Sequence, residues 1–196
     1  RRMSTRPLLA HFVGGKSRRM GTPKGLLQVP GSGQPIVEAL CVEGRRAGFE
    51  LALVGDATPY AALAQGVPRL PDDPPGAGPL GGLRAVLRFA EANAHPFVVA
   101  TACDMPQVSS AALKQLADPT STEAVLAPRR DPNAPWEPML ARYEVTRVLD
   151  VLDTALSDGL RSFQRLFERL DVQPLELTPE IELALADWDT PADVGA

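Results

Sequence analysis

Short runs of Val, Ile and Leu alternate along this chain with longer stretches whose apolar residues recur every three or four positions, and that alternation restricts the fold more than any other feature. A run that is apolar at every position is buried on both faces, which is the situation of strands in a parallel sheet covered by helices. An α/β fold is therefore expected. Strands are expected at Pro7–Val13, Glu50–Val54, Val67–Leu70, Phe97–Thr101, Ala124–Ala127 and Pro138–Tyr143, with Val172–Leu177 as an edge strand. Helices are expected at Gln34–Ala47, Pro59–Gln65, Leu80–Ala94, Ser110–Ala117, Thr146–Ala155 and Ser162–Leu170; in the third of these, Leu83, Val86, Leu87 and Ala90 mark one buried face.

The 196 residues suit one domain, expected over 7–196, with residues 1–6 as a flexible N-terminus. Lys+Arg 20 against Asp+Glu 24 gives a net charge of −4, so no global positive field exists to gather nucleic acid or an anionic membrane. The positive charge is nevertheless local. Arg1, Arg2, Arg6, Lys16, Arg18, Arg19 and Lys24 precede the first acidic residue, Glu38. Arg1-Arg2-Met3-Ser4 looks like the start of a twin-arginine export signal, but the apolar run Leu8–Val13 is short and broken by His11. Cys41 and Cys103 have no metal-ligand spacing and suit buried thiols in a reducing compartment. A cytoplasmic location without membrane or nucleic-acid partners is the expectation.

Four constellations carry chemistry. Gly14-Gly15-Lys16-Ser17-Arg18-Arg19-Met20-Gly21-Thr22-Pro23-Lys24 stands directly after a buried strand, where glycines let backbone amides wrap an anion and Ser17, Arg19 and Lys24 add donors and charge. It matches neither G-x-x-x-x-G-K-[ST] nor G-x-G-x-x-G. Val98 to Asp104 is a strand that delivers one carboxylate at its C-terminal end, where ligands of open α/β sheets sit and where an Asp can hold Mg²⁺ against a triphosphate. Asp72 to Leu83 is a Pro- and Gly-bearing turn into a helix, and Asp187-Trp188-Asp189-Thr190-Pro191-Ala192-Asp193 has the pattern of a capped C-terminal helix. Each also has a plainer reading: a solvated basic loop, a turn Asp, a tight connection, a cap. Arg129-Arg130-Asp131 reads as a solvated loop, and His11 and His95 as isolated structural residues.

In this order the four constellations resemble the MobA-like nucleotidyltransferases, the molybdenum cofactor guanylyltransferases among them, over about Pro7 to Val194. The family's opening pattern L-A-G-G-x-S-x-R-M-G-x-x-K is met by Phe12 to Lys24; G-P-L-x-G by Gly78-Pro79-Leu80-Gly81-Gly82; C-D-x-P by Cys103-Asp104-Met105-Pro106; and N-x-N-T-P-E-D-L by Asp187 to Val194. Weaker agreement comes from Pro138 to Tyr143 and Gly159 to Phe163.

The resemblance implies a three-layer α/β/α sandwich of the Rossmann-like nucleotidyltransferase kind, mainly parallel with one antiparallel strand. The activity it implies is transfer of GMP from GTP to molybdopterin with release of pyrophosphate, with Mg²⁺ as cofactor and molybdoenzymes or their chaperones as transient partners. Lys24, Arg19 and Asp104 would be the catalytic residues. Phe12, Val13, Gly14, Gly15, Ser17, Gly21, Lys24, Asp72, Gly78, Pro79 and Asp104 would bind the nucleotide, with Asp73 the close competitor of Asp72. Asp104 would hold the metal. Two departures stand out: Phe12-Val13 replaces Leu-Ala, and Asp187 and Asp189 replace two asparagines. Two carboxylates beside an anionic substrate repel it unless a cation intervenes, which makes Asp189 a second candidate metal ligand. A cytidylyltransferase or other small-acceptor nucleotidyltransferase, and a non-catalytic nucleotide-binding relative, remain the alternatives.

Overall fold

A computed structural model describes residues 6–14, 23–29 and 31–186. The strand that decides the architecture is β1, Leu8–Phe12, in which all five residues are buried. Its alternating side chains feed two separate cores: Leu8, Ala10 and Phe12 join one, Leu9 and Val13 the other. Only a strand with a layer of helices on each face can be buried this way. β1 pairs in parallel with β2, Glu50–Val54, on one side and with β4, Phe97–Ala102, on the other. β3, Arg69–Leu70, extends the sheet beyond β2. β6, Leu140–Glu144, runs antiparallel between β4 and β5, Val125–Ala127, and β7, Val172–Pro174, lies parallel to β5 at the edge. The resulting seven-stranded sheet has the order β3-β2-β1-β4-β6-β5-β7 and is parallel except for β6. The chain thus leaves β1 toward β2 and β3, then returns to β4 on the opposite side. The gap between the C-terminal ends of β1 and β4 is a topological switch point, the place where open α/β sheets bind ligands.

α1, Ile36–Arg46, and α3, Ser110–Leu116, pack on one face; α2, Pro79–Ala92, and α4, Val145–Ser157, pack on the other. The short α5, Phe163–Phe167, joins the face of α2 and α4, and α6, Pro179–Ala184, joins the face of α1 and α3. Caps fit the sequence: the side chains of Ser109, Glu144, Ser162 and Thr178 accept bonds from amides in the first turns of α3, α4, α5 and α6. The expected α/β sandwich is therefore present, with its single reversed strand.

Three local expectations change. Pro59–Gln65 forms only a 3₁₀ turn at Thr58–Tyr60 followed by hydrogen-bonded turns, because so short a segment repays little of the cost of helix nucleation. Val67–Leu70 contributes two strand residues, since Pro68 has no N–H to give the ladder. The edge strand stops at Pro174, level with Ala127, where its partner β5 ends. Sequence reading passed over α6, although Thr178-Pro179-Glu180 carries the N-cap, first-position proline and acidic first turn of a helix start.

Among the described residues, His11, His95, Thr101 and Arg142 are the polar side chains built into the core. The Arg142 guanidinium donates to the carbonyls of Asp118 at 2.6 Å and Ser121 at 2.8 Å and lies over the Phe97 ring, tying the connection after α3 to β6. His11 in β1 is fully buried, its Nδ1 2.6 Å from the Thr101 hydroxyl of β4. Burial, with the Arg45 charge adding to it, lowers its pKa to about 4. The native state therefore refuses a proton that the unfolded chain accepts below about 6.5, so His11 costs stability as the pH falls from 6.5 to 4 and nothing more below that. Urea unfolding of the parent and His11→Leu should show a stability difference that shifts against the parent by roughly 3 kcal/mol between pH 7 and pH 4. A pH-independent difference would contradict a neutral buried imidazole.

Candidate active site

The site lies where β1, β2 and β4 end together. Fixed register puts Phe12 opposite both Val54 and Ala102, so the three chains leave the sheet at one level. The amides of Val13 and Gly14 both donate to the Val54 carbonyl, at 2.9 and 3.3 Å, and the Cys103 amide donates to the Phe12 carbonyl at 3.2 Å. These bonds occupy two of the backbone donors expected to meet a nucleotide and leave Gly14 exposed at the rim. The exits of β1 and β2 are nearly in contact. A Cβ on Gly55 would sit 2.8 Å from the Gly14 Cα, and Gly55 has φ +95°, a left-handed conformation that side chains rarely adopt.

On the β1 side, the chain returns at Pro23 and makes a 3₁₀ turn over Lys24–Leu26. Gly25 in this turn is pressed against a fully buried ring: a Cβ there would fall 2.7 Å from Tyr60 Cε1. Lys24 is thereby held over the switch point, and its Nζ lies 3.0 Å from Asp104 Oδ2 at the end of β4. Both side chains are largely buried, at 17% and 26% exposure, so this pair is better shielded from solvent than an ordinary surface ion pair. Cys103 and Tyr60 lie alongside. Burial, and then the Asp104 charge, pushes the Cys103 thiol up to about 11, while burial carries the Tyr60 phenol to about 12. Neither supplies a nucleophile at neutral pH.

Beyond β2 and β3 an open cleft of about 480 Å³ is lined by Gly55, Asp56, Thr58, Arg69 and Asp72 among others. Asp56 is held ionised by Thr58, whose amide donates to Oδ1 at 3.1 Å. Asp72 faces inward: its carboxylate oxygen lies 3.3 Å from where a Cβ on Gly82 would stand, and desolvation raises its pKa. Asp73 turns the other way and pairs with Arg84 of α2, which also bonds Asp153 of α4 at 2.6 Å. The structure thus separates two adjacent carboxylates that the sequence left in competition. Gly78, at φ +65°, is the N-cap of α2 and Pro79 its first residue, while Gly81 and Gly82 let this first turn approach Pro74, Val54 and Phe12.

Of the residues expected to form a site, Phe12, Val13, Gly14, Lys24, Asp72, Gly78, Pro79 and Asp104 are thus gathered along one sheet edge. Gly15, Ser17, Arg19, Gly21, Asp187 and Asp189 lie outside the described residues. Sequence reading missed Gly55, Tyr60 and Arg84, whose roles depend on contacts across the fold; the only local sign was a glycine directly after a strand.

An α/β sheet of this order opens a ligand site at its switch point, and the chains it is similar to define its class as nucleotidyltransferase. The chain belongs to the MobA-like NTP transferase domain family, whose model matches residues 12–173. It is 31% identical to a Rhodopirellula baltica protein named Probable molybdenum cofactor guanylyltransferase, over 96% of this chain and 90% of the relative. A relative of the same name from Mycobacterium tuberculosis is 31% identical over 82% of this chain and 78% of its own length. Among solved structures, molybdopterin-guanine dinucleotide biosynthesis protein A from Archaeoglobus fulgidus matches with TM-score 0.75 and 26% identity, covering 96% of this chain and 95% of its own. The 2-C-methyl-D-erythritol 4-phosphate cytidylyltransferase of Thermus thermophilus shares the fold at TM-score 0.62 and 19% identity, over 95% and 94% of the two chains. Among the described residues no helix is long and apolar enough to cross a membrane.

The glycine contact is open to a controlled test. Gly66 has φ +76° with nothing near its missing Cβ, whereas Gly55 has a similar φ and a backbone 2.8 Å away. Gly66→Ala should cost about 1 kcal/mol of stability from strain, and Gly55→Ala roughly 1–3 kcal/mol more from the clash, in denaturant unfolding. Equal losses would contradict the close approach of β1 and β2.

Proposed function

We propose that this nucleotidyltransferase transfers GMP from GTP to the terminal phosphate of molybdopterin. The observation that carries the reading is the Lys24–Asp104 pair at the switch point with the Asp72 cleft beside it, in a chain whose relatives bear the names given above. A phosphate oxygen of the acceptor attacks the α-phosphorus of GTP. A new P–O bond forms there, the bond from the α-phosphorus to the bridging oxygen breaks, and pyrophosphate leaves with the electron pair.

Such transfers depend on positioning and neutralisation of charge. Lys24 binds the α-phosphate and stabilises the charge that grows on it; Arg19 and the amides that follow Gly14 as far as Gly21, with Ser17, receive the departing pyrophosphate. Phe12 and Val13 border the nucleotide, and Gly78 and Pro79 close over the base. The Asp72 carboxylate suits guanine in particular, whose N1–H and exocyclic amine are two donors side by side, while cytosine offers only its amine.

Asp104 fits Mg²⁺ by its chemistry: it is a carboxylate at the strand end that accepts from Lys24 through Oδ2, and Oδ1 would be the oxygen offered to the cation. Mg²⁺ is commonly held by one or two carboxylates together with substrate phosphates, and no group of three metal-ligating side chains occurs among the described residues. When bound it would supply positive charge to the triphosphate oxygens, with Asp189 as the proposed second carboxylate. Without nucleotide, Lys24 and Asp104 satisfy each other; a cation-bearing triphosphate offers each a new partner of the same sign as the one it gives up.

Thermal stabilisation by each of the four NTPs with Mg²⁺ should be largest for GTP, since a ligand of the native state raises stability by mass action. Pyrophosphate release should then require GTP and molybdopterin together. A preference for CTP, or release without molybdopterin, would overturn the reading. Asp72→Asn should lower kcat/KM for GTP about tenfold or more through the lost charged hydrogen bonds, while Asp73→Asn stays within about twofold.

A further inference from the structure

The loop between β5 and β6 is neither disordered in sequence character nor remote from the site. β6 is the reversed strand, and Leu140 at its start pairs with Thr101 near the end of β4. The residues before Leu140 therefore run past the level of Cys103 and Asp104. β5 is parallel to β4, so Arg129, two residues beyond its end, emerges on the same sheet edge. Two strand spacings of about 4.8 Å separate β4 from β5, so this loop leaves the sheet roughly 10 Å along the edge from β4, on the side away from β1 and the Asp72 cleft.

The loop is also held in shape. Gln164 of α5 grips the Trp136 backbone twice, accepting from its amide at 3.0 Å and donating to its carbonyl at 2.8 Å. The half-buried indole packs edge-on against Phe167, with ring centroids 6.3 Å apart. Arg129 lies over this indole, its Cζ 4.2 Å from the ring centroid, and one of its N–H groups donates to the Pro132 carbonyl at 2.9 Å. Of the two acidic residues in the loop, Asp131 and Glu137, the nearer one, Asp131, accepts from the amides of Asn133 and Ala134 through Oδ1. Arg129 has no carboxylate partner among the described residues, unlike Arg84, Arg88, Arg147 and Arg169. A planar donor fork, immobilised on an aromatic platform with most of its N–H groups uncommitted, is a recognition element rather than a solvated charge.

Resting on the reading above, we propose that Arg129 and Trp136 form the binding platform for the ring end of the acceptor substrate, a flat heteroaromatic group with hydrogen-bond-accepting edges carried on the phosphate that reacts. The nucleotide then occupies the β1–β3 side, the reacting phosphates meet at Lys24 and Asp104, and the acceptor ring lies over β5 and β6. Arg129 is a specificity residue for the acceptor and takes no part in the transfer itself.

The chain has two tryptophans, so a Trp188→Phe background leaves Trp136 as the reporter. Molybdopterin titrated into this protein without nucleotide should quench its fluorescence, and Arg129→Gln should weaken that binding about tenfold. In turnover, Arg129→Gln should raise KM for molybdopterin by a similar factor, with kcat and the thermal shift given by GTP within about twofold of the parent. Arg129→Lys, which keeps the charge and loses the planar fork, should remain impaired. No quenching, equal affinity in Arg129→Gln, or full rescue by Arg129→Lys would overturn the platform. Pyrophosphate release with an unchanged KM would overturn it and leave guanylyl transfer standing, whereas Arg129-dependent quenching without pyrophosphate release from GTP would do the reverse.

Discussion

The ion pair between Lys24 and Asp104 joins residues eighty positions apart, and most of the architecture can be read as what is needed to make it. Asp104 arrives by a strand apolar enough to be buried on both faces, which fixes where its carboxylate emerges. Lys24 arrives by a turn whose glycine rests on the Tyr60 ring. The two meet because β1 and β4 are neighbours in the sheet although β2 and β3 lie between them in sequence. In a partly shielded position, opposite charges 3.0 Å apart interact more strongly than at a free surface, and either one left alone would be costly. On the proposed function, such a pair would meet a ligand that carries both signs, as a cation-bearing triphosphate does.

The same edge arranges the remaining functions by strand order. Close approach of Gly14 and Gly55 brings the β2 exit beside β1 and opens the cleft where Asp72 faces inward. Arg84 holds the neighbouring Asp73 outward and ties this turn to α2 and α4. Reversal of β6 brings a further loop to the same side, with Trp136 clamped and Arg129 over it. In a protein of net charge −4 whose first acidic residue is Glu38, Lys24 is the described cation of the opening segment that reaches this edge.

What could be read from the sequence was whatever local periodicity and punctuation encode. Glu50–Val54 has the expected bounds because its apolar run is bounded by Gly48 and Gly55, and Phe97–Ala102 is apolar enough to leave no other reading. The carboxylate of Asp104 was legible because it ends such a strand. Contacts between distant segments were not legible. Nothing near Tyr60 announces that it packs on Gly25, and nothing in Asp72-Asp73 says which one turns inward until Arg84 is seen to take the second. Arg129-Arg130-Asp131 read as a solvated loop because the clamp that orders it comes from Gln164, on a helix after the next two elements. His11, isolated in sequence, is a structural residue as expected, and its partner Thr101 becomes evident only from the register of β1 and β4.

The claim that the Lys24–Asp104 pair acts as one unit in nucleotidyl transfer is tested most directly by a double-mutant cycle on kcat/KM for pyrophosphate release, using Lys24→Gln, Asp104→Asn and the double variant. Each single substitution should lower the rate at least about 100-fold, and the double should fall no more than about tenfold further, because removing either partner disables the same step. A single variant that keeps the parent rate, or losses that simply multiply in the double, would contradict it.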